Sequence, residues 1–390
     1  MQRRGMVGKL GIVLLAAVLA LVLLLPPGGA MAAEAGPIKV GWLGILSGTL
    51  APYGIEHKTG VEYAVEKINA GGGIKGAKVE MIYTDSKFDI NTSVQAVRRF
   101  AQQDKVAAII GGISSAVTIA TVGETARLKV PQIAGLAGTP KITEMGSQWI
   151  FRTYPSVILT YSSLAHYAID KLGHKKFATL AYNDEGGLSS IEVFVKTVKE
   201  KGKGEIVARE VVPLDAKEFK GVLAKMRQQN PDALVMAAAA PVSGLVARQA
   251  REMGWNVALL GHGGYQGIQQ YRDVAGPAGD GTLIVTTYAP GLFKHKEAQE
   301  FVKEWQAKFK RMPKDLEAHG YDAMNMLAEA IGKVGPDRQK IRDYLAGLKN
   351  WPGAAGIYSF LPTGDIRKSL VVSEWKAGNL TPVVAIEKTD

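Results

Sequence analysis

Strand and helix alternate from the start of the chain's regular pattern, and the alternation restarts once. "IKVGWLGI" at 38–45 reads as a strand and Thr59–Asn69 as a helix. "KVEMIYTD" at 78–85 is the next strand, followed by a helix over Thr92–Gln102. "VAAIIGG" leads into a helix over Ser115–Leu128, and "PQIAGLA" is a further strand. After "WIFRTYPS" at 149–156, helices over Ser162–Leu172, Ser190–Glu200, Glu218–Gln229 and Val242–Met253 alternate with the strands "FATLAYN", "EIVAREVV", "DALVMAAA" and "VALLG". Short apolar strands separated by amphipathic helices imply a parallel sheet covered on both faces. Two such series predict two α/β lobes. Beyond "TLIVTTYAP" come longer helices over Lys296–Phe309, Tyr321–Ile331 and Lys340–Leu348. The chain closes with "GIYSF" and "SLVVSEWKAGNLTPVVAI", in which "WKAGN" reads as a hairpin turn.

The first residues carry an export pattern. Arg3, Arg4 and Lys9 precede an uncharged apolar run over Leu10–Leu25, and Ala30-Met31-Ala32 has the small-x-small form of a cleavage site. A signal peptide over 1–32 is expected, with Ala33 starting the mature chain. Cleavage removes three positive charges and lowers the net charge from +11 to +8. About 355 residues remain, enough for two domains. The chain has no cysteine. That excludes disulfides, thiol catalysis and zinc–thiolate sites, and also the cysteine that a lipid anchor needs. A soluble periplasmic protein is expected. No lysine or arginine run stands out, so the basic balance reads as a solvated surface rather than a nucleic-acid face. No cofactor or metal is expected.

"IIGGISSAVT" at 109–118 is a strand that ends in Gly-Gly and enters a helix through Ser114-Ser115. It lacks the lysine of a phosphate loop and the spacing of a dinucleotide loop. Gly112-Ile113-Ser114-Ser115-Ala116 approaches the nucleophile elbow of a serine hydrolase but departs at Ala116, with His262 or His319 as the available bases. A free carboxylate is the simpler occupant. The first turn of a helix offers unpaired N–H groups and the positive dipole end, to which a serine adds a hydroxyl donor. A plain helix cap is the other role open to Ser115.

Several stretches in order resemble a known family: "LSGTLAPYG" at 46–54, "INAGGGIKGAKVEMIYTDSKFD" at 68–89, "FRTYPS", "RQAREMG", "GYDAM" and "SFLPTGD". Together they are similar to the leucine/isoleucine/valine-binding type of periplasmic solute receptor, which serves ABC importers. The resemblance spans essentially the whole chain after the signal.

It implies a two-lobed periplasmic binding protein of type I. Each lobe is a Rossmann-like parallel sheet flanked by helices, and three hinge crossings join them, here near Thr153, Thr287 and Gly356. The lobes are then expected at 37–152 plus 288–355 and at 153–287 plus 356–390. A small-molecule ligand sits between closing lobes, the partner is a membrane permease, no enzymatic step is involved, and a monomer is expected.

The resemblance also implies site residues. Ser115 corresponds to the serine that holds the ligand carboxylate. Leu136 and Ala137 contribute backbone, and Gly138 stands where many relatives carry threonine, with Thr139 beside it. Tyr53 occupies an aromatic lid position. Trp42, Tyr182, His262 and Tyr265 follow strands and are candidate cleft residues, with Tyr53 and Tyr265 read as lying in loops. Tyr321 and Asp322 match the family but are read as structural. The acid that pairs with a ligand ammonium in amino-acid-binding relatives is replaced by Gly263, and Gly187 and Ala239 stand near the positions of the relatives' second-lobe tyrosines. A small carboxylate without an ammonium group is therefore expected. The alternatives are the exported serine hydrolase and a ligand-sensing module of the same fold.

Overall fold

The computed structural model describes residues 36–386 of the 390. The expected signal peptide, 1–32, lies outside the described residues.

Five strands form the first sheet: β1 Ile38–Gly44, β2 Val79–Asp85, β3 Ala108–Gly111, β4 Gln132–Ala134 and β5 Ile150–Arg152. Their order is β2-β1-β3-β4-β5, and every pair is parallel. The helices between them are α1 Ala51–Ala70, α2 Ile90–Gln102, α3 Ser115–Leu128 and the short α4 Lys141–Glu144. α3 spans the expected residues, whereas α1 begins eight residues before the expected Thr59. "SGTLAPYG" looks like a loop in sequence because of its glycines. Gly54 is instead helical, and it is glycine because the Ile45 carbonyl lies where a Cβ would stand.

α5 Val157–Asp170 leads to the second sheet. This contains β6 Lys176–Tyr182, β7 Glu205–Val212, β8 Ala233–Ala237, β9 Ala258–His262 and β10 Leu283–Thr286. Between them run α6 Glu185–Lys201, α7 Lys220–Gln228, α8 Ala240–Glu252, the one-turn α9 Gly263–Gln266 and α10 Gln269–Ala275. After β10 come α11 Lys296–Phe309, α12 Asp315–Val334 and α13 Arg338–Ala346. A small sheet follows, of β11 Trp351–Gly353, β12 Gly356–Phe360 and β13 Ile366–Arg367. The chain then rejoins the second sheet as the antiparallel hairpin β14 Leu370–Lys376 and β15 Asn379–Ile386, turning at the expected Ala377-Gly378. The second sheet is ordered β15-β14-β10-β9-β8-β6-β7.

The chain passes between sheets three times: after β5, after β10, and between β13 and β14. The last passage lies about ten residues beyond the expected Gly356, because Tyr358, Phe360 and Ile366 belong to the first sheet's core. That core gathers Trp42, Phe301, Trp305 and Met324 around β1, α1, α11 and α12. A second apolar cluster joins Ile45, Tyr53 and Ile113 of the first lobe to Tyr182, Met236 and Tyr271 of the second. The lobes are thus in contact across their cleft. Among the described residues, no helix is long and apolar enough to cross a membrane.

Candidate functional site

In each sheet the strand order reverses beside the first strand laid down, between β1 and β3 and between β6 and β8. Ligands of open α/β sheets bind beyond the carboxyl ends of the strands at that point. A narrow cavity lies there, between the facing ends of the two sheets. The first lobe contributes Ile45 after β1, Leu50 and Tyr53 at the start of α1, and Phe88 after β2. It also supplies Ile113, Ser114 and Ser115 after β3, and Leu136 and Gly138 after β4. Facing them are Val157, Tyr182, Ala239, His262, Gly264 and Tyr265.

The two serines divide their work. Gly111 and Gly112 turn the chain sharply, with φ of 141° and 92°, and a Cβ on Gly111 would stand 2.0 Å from the Leu43 carbonyl oxygen. The turn delivers Ser114 to the helix start, where its Oγ accepts the Val117 N–H at 3.4 Å. Ser114, not Ser115, is therefore the cap. The Ser115 Oγ accepts the Thr139 N–H at 3.4 Å, which leaves its own hydrogen free to donate. No histidine hydrogen-bonds to either serine among the described residues. His319 is engaged with Thr287, Asp315 and Tyr358, and His262 with Gly264. The hydrolase arrangement is not formed.

His262 ends β9 and caps α9, its Nδ1 accepting the Gly264 N–H at 3.1 Å. The proton therefore sits on Nε2, which has no partner among the described residues although the residue is only 4 % exposed. Burial pushes the imidazole down to about 4, so it is neutral at pH 7 and donates through Nε2. Tyr161 stacks on the ring at 5.5 Å between centroids, and Tyr154 and Tyr265 meet it edge-on.

Tyr53 and Tyr265, expected in loops, stand in the first turn of α1 and in α9. The Tyr53 hydroxyl accepts the Ala240 N–H at 2.8 Å, which frees its hydrogen too. Tyr182 and Tyr265 meet edge to face, with hydroxyl oxygens 3.5 Å apart.

Three expected residues lie off the cavity. Trp42 is fully buried in the first core, because β1 is covered on both faces; its Nε1–H donates to His57 Nδ1 at 3.2 Å. Ala137 is buried, and its amide and that of Leu136 both donate to the Gly112 carbonyl. These two backbone donors are therefore already used, and Leu136 reaches the cavity through its side chain. Thr139 is buried as well, its hydroxyl donating to Glu185 at 3.0 Å.

Behind this loop lies Arg152, fully buried, a residue that sequence reasoning did not single out. Its guanidinium donates to the carbonyls of Ala137 and Thr139 at 3.3 and 3.1 Å and to Thr143 Oγ1 at 2.9 Å, with Asp365 at 3.4 Å. The apolar wall of Ile45, Leu50, Phe88, Ile113 and Val157 was also missed; its only signal is that each follows a strand or starts a helix.

Among the described residues, no Asp, Glu, Lys or Arg side chain lines the cavity. Asp184 stands close to Ser115 and Tyr265 at the cavity's margin, and it and Glu185 are held by other groups. Asp184 caps α6 by accepting the Gly186 and Gly187 amides at 2.6 and 3.1 Å. Glu185 pairs with Lys141 and accepts from Thr139. At Gly263 a Cβ would stand 2.8 Å from Thr286 Oγ1 and 3.0 Å from its Cα; at Gly187 it would run into Tyr182 and the Ala237 carbonyl. The absent side chains thus correspond to filled space. No group of three or more His, Asp or Glu that could hold a metal stands together among the described residues.

A periplasmic binding protein profile matches residues 37–379. The chain belongs to the periplasmic binding protein family, and its architecture is the two-lobed type I fold. It is 26 % identical over 349 residues to the Leu/Ile/Val-binding protein BraC3 of Rhizobium johnstonii, covering 88 % of this chain and 93 % of that one. Among solved structures, the branched-chain amino acid transporter substrate-binding protein LivJ from Streptococcus pneumoniae, in complex with isoleucine, superposes with a TM-score of 0.82 at 26 % identity. The match covers 90 % of this chain and 100 % of that one. A solute-binding protein of an ABC transporter from R. palustris, in complex with benzoate, superposes with a TM-score of 0.81 at 26 % identity, covering 90 % and 96 %. This chain is a substrate-binding protein of the branched-chain amino acid type of ABC transporter.

Proposed function

We propose that the solute is a small carboxylate without an ammonium group, an aromatic or short-chain organic acid, which the protein delivers from the periplasm to its membrane permease. The observation that carries this reading is the cavity wall. Neutral donors line it: the Ser115 and Tyr53 hydroxyls and the first amides of α3, with the neutral His262 ring beside them. No acid joins them. A buried ammonium left without an anion costs several kcal/mol, whereas a carboxylate is well matched to helix-start amides and hydroxyl donors. The R. palustris relative is in complex with benzoate, an aromatic carboxylate of the kind proposed. Leucine-type ligands are the second reading, favoured by the isoleucine complex of the S. pneumoniae relative.

Calorimetry with leucine, isoleucine and valine beside benzoate-type acids separates the two. Micromolar binding of leucine, with none of the acids, overturns the proposal and leaves the receptor class intact. The lobe limits that we propose are 37–152 with 288–367 and 153–287 with 368–386, supported by the pairing of β12 and β13 outside the second sheet. We further propose that the protein is exported by cleavage after Ala32 and works as a monomer.

A further inference from the structure

Beyond Tyr154, which packs edge-on against His262, two of the crossings between the lobes meet at one carboxylate. Asp315 opens α12, and its side chain is 8 % exposed. Tyr154, on the first crossing, donates to its Oδ2 at 3.3 Å. Thr286 and Thr287, on the second, donate to Oδ2 at 3.0 Å and Oδ1 at 2.9 Å. His319, one turn along α12, stands 3.2 Å from Oδ1 and 2.7 Å from the Thr287 hydroxyl. On the third crossing, Lys368 is 2 % exposed and its Nζ has no hydrogen-bond partner among the described residues; it lies 4.7 Å over the Tyr358 ring.

We propose that Asp315 is the positioning residue of the hinge: one buried carboxylate that ties the first two crossings together. The assignment rests on the receptor class and not on the identity of the solute.

Three features support it. Thr286 closes a strand of the second sheet, while Asp315 begins a helix packed on α1, so their bond spans the two lobes. Burial alone would raise the Asp315 carboxyl, but the hydrogen bond from His319 and the nearby charge of Lys368 outweigh it and hold it below the ordinary range. It is therefore an anion, and hydrogen bonds to a charged group are stronger than neutral ones. Finally, the Tyr154 ring lies between the cluster and the cavity, 4.9 Å from His319 and 5.5 Å from His262 between centroids. A change in the crossings is thus felt by the ring that supports the His262 donor. Hinge residues absorb the backbone rotation of closure; here the hydroxyls that follow the carboxylate sit on those residues.

The chain has no cysteine, so spin labels can be placed at will. Ile90→Cys and Leu214→Cys put one exposed label on each lobe, and dipolar spectroscopy on the ligand-free protein reads the distance between them. Asp315→Asn keeps the shape and removes the charge. The distance distribution is expected to broaden and shift to longer separations while the variant still melts cooperatively. A folded Asp315→Asn with the parent distribution overturns the proposal, even if its melting temperature has fallen, since a purely structural role would lower stability alone. Should Asp315→Asn not fold, Thr287→Val is read in the same way: broadening supports the assignment, and the parent distribution overturns it. Thr287→Ser, which restores the hydroxyl, is expected to restore the parent distribution.

Discussion

The hydroxyl of Tyr53 accepts the backbone N–H of Ala240 at 2.8 Å, joining residues 187 positions apart. Helix α8 starts at Ala240 without a side-chain cap of its own, since Ala239 carries no acceptor. A tyrosine of the other lobe takes that place, so closing the lobes also completes a helix terminus. Burial raises the phenol far above its ordinary range, and it stays a neutral donor and acceptor at any working pH. Tyr53→Phe leaves the Ala240 amide unpaired when the lobes meet. We expect benzoate affinity to fall by about tenfold, the equivalent of one net hydrogen bond, through faster dissociation rather than slower association. Equal dissociation rates in stopped-flow measurements would contradict the latch.

Neighbouring serines give separable effects. Ser115→Ala removes a free donor from the cavity, and a bond to a charged group is worth about 1.5–3 kcal/mol, so the affinity for a carboxylate should drop at least tenfold with little change in melting. Ser114→Ala removes the α3 cap and should cost about 0.5–2 kcal/mol of stability, with a smaller effect on binding. Calorimetry and denaturant melts on the two variants test the division, and the reverse ranking would show that the roles are exchanged.

Restoring the relatives' acid should fail for steric reasons. Gly263→Asp drives a Cβ into Thr286, itself a partner of Asp315. Overpacking of this kind costs about 1–3 kcal/mol. We expect a lower melting temperature and no gain of leucine binding by calorimetry. A stable variant that binds leucine would show that the site needs only the missing charge.

Acid should weaken the fold. Burial lowers His57 to about 3 and His262 and His319 to about 4. Below the ordinary value of 6.5 the unfolded chain takes up protons that the folded protein refuses, so stability falls as pH drops from about 6.5 towards 4. Asp322, raised by burial to about 6, works the other way between 3.8 and 6, as do the raised carboxyls of Glu56 and Asp184, so the net slope is that of three strongly lowered imidazoles less these carboxyls. Urea unfolding midpoints measured between pH 7 and pH 4.5 should decline steadily. His57→Gln removes one of the three titrating groups, so its decline should be shallower than that of the parent protein. A flat parent profile would contradict the burial of neutral imidazoles.

Sequence alone carried the parts of this protein that depend on local pattern. The strand–helix alternation, the start of α3 at Ser115, the turn at Ala377-Gly378 and the family's stretches in order are properties of adjacent residues, governed by periodicity, capping and backbone freedom. Tyr182, His262 and Tyr265 were also legible as cavity residues, because side chains at the carboxyl ends of parallel strands face the same crevice. Tertiary structure decided the rest. Trp42 ends in the core, since β1 has no open face. The amides of Leu136 and Ala137 are used by Gly112, and of two adjacent serines it is Ser114 that turns inward to cap. Arg152 becomes the brace of a cavity loop, and Asp315 the meeting point of crossings more than a hundred residues apart. The physical reason is the same in each case: which donor is left free, and which wall is apolar, depends on loop ends brought together from two lobes, and no local pattern encodes how those ends fill one another's space.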